Sequence, residues 1–112
     1  MLTKTNRLSL SQEFKNVFDY GQSGYNQILG LKAVKNHLSA SRFGIIISTK
    51  VSKTAVNRNQ IKRRIREIVK TELKKFNHNY DIVIIARPGI KECNFSELKK
   101  SLTVFFKKFG LY

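Results

Sequence analysis

The chain has 112 residues, and its 22 Lys and Arg against 7 Asp and Glu leave a formal charge of +15. It is 41% apolar, with eight Phe and four Tyr, which excludes a disordered basic tail: a chain of this length buries roughly two-thirds of its extended surface on folding. A single cysteine, Cys93, excludes an internal disulfide and a thiolate zinc site and reads as a bystander. The longest apolar runs, around residues 43–47 and 82–86, are far shorter than the ~20 residues that cross a bilayer, so no membrane partner is expected. No apolar h-region follows the N-terminus, and a cytoplasmic protein is expected. With no repeat, no linker and one proline, Pro88, a single domain over 1–112 is expected.

In chain order, the first helix is predicted to begin after Ser9-Leu10-Ser11-Gln12. Ser9 and Gln12 have capping-box spacing, with Ser11 as a competing cap. Phe14, Val17 and Phe18 share one face, and Gly21 is a natural left-handed stop. Two β-rich runs follow, Ile28–Val34 and Arg42–Thr49. The turn-prone Asn36–Ser39 between them points to an antiparallel hairpin. A short extra strand around Gln22–Asn26 is weakly signalled. A second helix is expected over Val56–Phe76. Tyr80–Ala86 reads as a buried central strand that Arg87-Pro88-Gly89 ends. The last helix opens at Asn94 with Glu97 as its capping box, carries Leu98, Leu102, Phe105, Phe106 and Phe109 on one side, and ends at Gly110. The order predicts an α+β sandwich with helices on a mixed sheet.

The second helix is the informative one. At about 100° per residue from Arg58, the residues Ile61, Ile65, Ile68, Val69, Leu73 and Phe76 fall between roughly 280° and 60°. Asn59, Lys62, Arg63, Arg66, Lys70 and Lys74 fall between roughly 40° and 160°. Glu72 is the acidic residue that falls within the apolar sector, near its centre, and is expected to reach solvent. Lys62, Arg66, Lys70 and Lys74 repeat a like-charge i, i+4 spacing that costs a few tenths of a kcal/mol per pair. In a chain at +15, such a strip points to a polyanion as partner, and nucleic acid is the expected one. No helix-turn-helix or zinc-finger setting accompanies the strip, so RNA is favoured over a DNA groove. Phe14 and Phe18, one turn apart, suit either a core or a base-stacking platform.

The run Ala55-Val56-Asn57-Arg58-Asn59-Gln60-Ile61-Lys62-Arg63-Arg64-Ile65-Arg66-Glu67 resembles the signature of the protein subunit of bacterial ribonuclease P. The resemblance extends through Asn6-Arg7-Leu8, Glu13–Phe18 with Gly21 after it, Thr49-Lys50, Tyr80–Arg87 and Leu98–Leu102, nearly the whole chain. It implies an αβββαβα fold similar to a ribosomal-protein domain, with a left-handed βαβ crossover through the basic helix. That hand is an exception to the usual right-handed connection.

The resemblance also implies a role: a small basic protein assisting a catalytic RNA that removes the 5′ leader from precursor tRNA. Carried over by position, Arg58, Asn59, Lys62, Arg63 and Arg66 belong to the basic motif facing the RNA. Phe14 and Phe18 become residues of a cleft for the single-stranded leader, and Arg7, Lys50 and Lys70 are weaker phosphate contacts. Two departures stand out. Gln60 replaces the third residue of the usual Arg-Asn-Arg, and Gly30 lies where the family often has an aromatic. Tyr25 is the candidate substitute.

The seven acidic residues, Glu13, Asp19, Glu67, Glu72, Asp81, Glu92 and Glu97, form no cluster in sequence that would hold catalytic metals. His37 and His78 lie in predicted loops. No catalytic residue is therefore assigned to the protein, and Mg2+ is expected to act through the RNA subunit. A ribosomal-type structural RNA-binding protein and a free-standing metal nuclease are the alternatives. No feature of the sequence sets an oligomeric state.

Overall fold

In the computed structural model the described residues are 4–112. Seven main elements follow in order: α1 (Ser11–Tyr20), β1 (Gln22–Tyr25), β2 (Leu29–Lys35), β3 (Arg42–Ile46), α2 (Ala55–Glu72), β4 (Tyr80–Ala86) and α3 (Phe95–Lys108). The weakly signalled strand is present as β1. Single 3-10 turns cover Lys4–Asn6, Leu73–Lys75 and Pro88–Glu92.

β4 organises the sheet. Its run of Ile and Val is buried on both faces, which only an interior strand allows. The strand order is accordingly β1-β2-β4-β3. The predicted hairpin between the second and third strands does not form, because β4 inserts between them. It pairs antiparallel with β2, from Leu29↔Ala86 to Lys35↔Tyr80. It pairs parallel with β3, from Arg42↔Asp81 to Ile46↔Ile85. A parallel pair needs a long crossover, and α2 supplies it. Arg7 adds an isolated parallel bridge to Phe43 outside β3.

Alternation along the strands divides the side chains between two layers. Leu29, Leu31, Ala33, Phe43, Ile82, Ile84 and Ala86 meet the apolar stripes of α2 and α3, including Ile65, Ile68, Leu102 and Phe106. On the other face Val83 lies under Val17 and Leu8, with Phe14, Val34 and Ile85 around them. α1 therefore sits alone on one face, with α2 and α3 on the other.

Three local expectations are corrected. α1 is not capped by a Ser9–Gln12 box: the Glu13 carboxylate accepts from the backbone N–H of Ser9 at 2.8 Å and of Leu10 at 2.9 Å. Gly21 is extended (φ −80°, ψ 152°), not left-handed. Its need for glycine is steric, since a Cβ there would lie 2.6 Å from the Val17 carbonyl oxygen and 3.0 Å from that of Ala33. Glu72 does not reach solvent: it is 2% exposed, bonded to Lys75 at 2.9 Å and accepting from the Tyr112 hydroxyl at 3.0 Å. The α-helix ends there, and the remaining turn to Phe76 tightens to 3-10.

The Asn94–Glu97 box forms in both directions, at 2.8 and 3.0 Å. The left-handed stop after α3 falls on Gly110, at φ 76°.

Candidate nucleic-acid interface

Packing fixes the rotation of α2. Thr54 caps its first turn by accepting from the Asn57 N–H at 3.3 Å, and Ile61, Ile65, Ile68 and Val69 are buried against the sheet. The basic strip must then face outward. Asn59, Arg63, Lys70 and Lys74 are exposed, while Arg58, Lys62 and Arg66 are half-buried along their stems. Arg58 also has a local task, with Nη1 donating to the Ser52 carbonyl at 2.9 Å and holding the loop before the helix.

Among the described residues, the ion pairs join Lys15 to Asp19, Arg42 to Glu13 and Asp81, and Lys75 to Glu72. None reaches the strip. Glu67 lies beside the strip but forms no ion pair with it, so the strip keeps a large excess of positive charge.

The structure brings some predicted contacts together and separates others. Arg7 and Arg66 line one recess, together with Leu8 and Ser9. Asn59, Arg63 and Arg66 line the next, beside Glu67. Lys50 is exposed in the loop leading to α2. Lys70 lies on the other flank of the helix, in a recess shared with α3.

The face carrying α1 holds the aromatic candidates, and they differ. Phe14 is half-buried, its ring packed so closely on Gly44 that any Cβ there would collide with it. Phe18 is 41% exposed, with the Lys32 ammonium 5.4 Å from its ring centroid. Tyr25 stands directly across from Gly30 in the β1–β2 register and so shares its face. The residue is 74% exposed, and the Arg87 guanidinium lies over its ring at 4.9 Å. Ile85 and the half-exposed Ile46 belong to the same face. The result is a largely apolar face in which Gly30 is buried against Tyr25 and Ile85, bordered by two ring–cation pairs.

A polar network absent from the sequence reading anchors α1 to this face. Arg42 donates from Nε and Nη2 to the two oxygens of Asp81, at 2.8 and 2.6 Å, and from Nη1 to Glu13. Asn36 adds a bond to Asp81 at 2.9 Å and another to the Ala40 carbonyl at 3.0 Å. The backbone N–H groups of Leu10 and Ser9, with Arg42 beside them, hold the Glu13 carboxyl below its usual range. Hydrogen bonding to Asp81 raises Arg42 further above its already high value. One signal was available: an aspartate inside an otherwise apolar central strand requires a buried partner.

Of the remaining chemistry-bearing groups, burial, then the charge of Glu97, pushes the Cys93 thiol up, and that thiol donates to the Ile90 carbonyl at 3.2 Å. Such a group is a weak nucleophile. Among the described residues, no three His, Cys, Asp or Glu side chains converge as a metal site would require. None of the described helices is long and apolar enough to cross a membrane.

The chain is similar to known proteins along nearly its whole length. The Ribonuclease P family profile matches residues 2–110. A ribonuclease P protein component of Syntrophomonas wolfei is 38% identical over 112 residues, spanning the whole chain and 93% of the relative. One from Fusobacterium nucleatum is 37% identical over 106 residues, 91% of this chain and 95% of the relative. Among solved structures, a Staphylococcus aureus RNase P protein mutant with defective mRNA degradation activity gives a TM-score of 0.89. It is 29% identical, with 97% of this chain and 92% of that one covered. The RNase P protein of Thermotoga maritima gives 0.80 at 29% identity, covering 91% of this chain and 96% of that one.

Proposed function

Since the chain belongs to the ribonuclease P protein family, we propose that it serves as the protein partner of a catalytic RNA that removes the 5′ leader from precursor tRNA. The observation that carries this reading is the basic strip on α2: Lys62, Arg63 and Arg66, with Asn59 beside them, form no ion pair among the described residues, in a chain at +15.

The protein's contribution is electrostatic and positional. Phosphates of the RNA subunit lie along Arg63 and Arg66 and the recess shared with Arg7. Each contact displaces counterions, so affinity falls with salt at a slope of about −0.7 to −0.9 per contact. With about five side chains engaged, the slope is roughly −3.5 to −4.5. Bringing cations to a folded RNA lowers the Mg2+ the RNA needs. Mg2+ held by the RNA supplies the activated water and the charge stabilisation of phosphodiester hydrolysis.

The distribution of carboxylates supports assigning the chemistry to the RNA. Glu13 and Asp81 converge on a guanidinium, and Glu72 is sealed beneath Tyr112. On the opposite face of the sheet the leader lies across the apolar surface beside α1. Phe18 stacks one base and Phe14 forms the wall. Tyr25, braced by Arg87, supplies the ring for which Gly30 leaves room.

The test is leader cleavage by a ribonuclease P RNA titrated with Mg2+, with and without the protein. The expected result is a lower Mg2+ requirement with the protein present, and no cleavage by the protein and Mg2+ alone. An unchanged requirement returns the chain to the class of structural RNA-binding proteins. Cleavage without RNA makes it a nuclease in its own right.

A further inference from the structure

The strip on α2 turns as it runs. The series Lys62, Arg66, Lys70 advances by roughly 40° at each step around the axis, and Lys74 follows in the 3-10 turn. It starts on the flank where Arg66 shares a recess with Arg7 and ends on the flank packed against α3. There Lys70 and Lys74 share with Lys99 of α3 a groove of about 430 Å3, with Ile68 at its base. Phe95, Thr71 and Glu67 complete the lining.

Three features distinguish this groove from a merely solvated helix junction. Its lysines take part in none of the ion pairs among the described residues. Phe95, at the start of α3, leaves 43% of its surface exposed although the core is only one helical turn away at Leu98. The groove also continues the charged surface already assigned to RNA rather than forming a separate patch. The amide end of α3 plays no part, because Asn94 and Glu97 cap each other there.

We infer that the α2–α3 groove holds an unpaired nucleotide of the RNA subunit, its base stacked on Phe95 and its flanking phosphates on Lys70, Lys74 and Lys99. The inference rests on the proposed RNA partnership and extends it to a surface that partnership does not need. The lining selects the occupant. Three cations call for a polyanion, and an exposed ring beside them calls for an unstacked base. Glu67 would repel an acidic peptide, yet it accepts hydrogen bonds from the N–H groups of a base edge. The leader is not the source, because it is assigned to the sheet face that carries α1.

The experiment measures affinity for the RNA subunit alone, with no tRNA present. Phe95→Leu keeps apolar bulk at the start of α3 and removes the ring. It should weaken binding roughly five- to a hundred-fold, the worth of one base–ring stack, while Phe95→Tyr stays within about twofold. Lys99→Gln, fully on the surface, should make the salt slope shallower by about 0.7 to 0.9 without lowering the melting temperature.

Wild-type affinity in Phe95→Leu together with a wild-type slope in Lys99→Gln would overturn the inference. Weakening seen only with precursor tRNA, and not with the RNA subunit, would overturn it too. The broader reading is judged separately: it falls if Arg63→Gln with Arg66→Gln leaves affinity for the RNA subunit unchanged.

Discussion

Arg42 and Arg66 are both half-buried arginines, yet they occupy opposite electrostatic settings. Arg42 is gripped by Asp81 and Glu13 and ties α1 to the sheet. Arg66 lies on a helix with cationic neighbours and meets no carboxylate among the described residues. The same side chain is a structural fastener in one place and an unfinished contact in the other. The buried acids go where the fold needs charge satisfied, and the surface offered to a partner is one whose arginines and lysines form no ion pairs.

Breaking the fastener should have the largest effect. Asp81→Ala strips a nearly buried carboxylate from Arg42 and is expected to cost about 3 kcal/mol of stability, read from urea or thermal melts. Arg66→Gln should stay within about 0.5 kcal/mol of wild type. Comparable losses from the two would erase the distinction.

Next come the rings of the α1 face. Phe18→Ala should weaken precursor tRNA by roughly 1–3 kcal/mol, the range for one stacked base, and leave mature tRNA unchanged. Equal weakening of both would remove the leader from this face. Phe14→Ala should act mainly on stability, because its ring packs on Gly44. For the same reason Gly44→Ala should destabilise by about 1–3 kcal/mol through overpacking.

The smallest effects are in pH dependence, and they too separate fold from partner surface. Glu13 is lowered from a usual value of 4.5. Its contribution is present above that value and is lost as pH falls through the lower folded value. Tyr112 is raised from 10.0 to about 12 by burial and by its bond to Glu72. Its contribution is whole below pH 10 and is lost between about pH 10 and 12. Tyr112→Phe should flatten that alkaline limb in a melting-temperature profile; an unchanged limb would contradict the assignment.

The elements that could be read from the sequence were those whose signal is local. The alternation and capping of α3, the apolar run of β4 and the two-sided wheel of α2 each lie within one stretch of chain. What could not be read depends on distant partners. The β2–β3 turn looked like a hairpin because nothing near it announces that β4 will take the place between them. Glu72 looked solvent-bound because its acceptor role is met by Tyr112, 40 residues away. The split between a packed Phe14 and an open Phe18 depends on Gly44 across the sheet. At the interface, the basic residues were legible as a pattern, whereas their lack of ion pairs among the described residues needed the fold.

The most direct measurement is the salt dependence of affinity for a ribonuclease P RNA, compared between wild type and Arg63→Gln with Arg66→Gln. The account gives a wild-type slope of roughly −3.5 to −4.5, shallower by about 1.4 to 1.8 in the variant, at an unchanged melting temperature. The same slope in both proteins would contradict it.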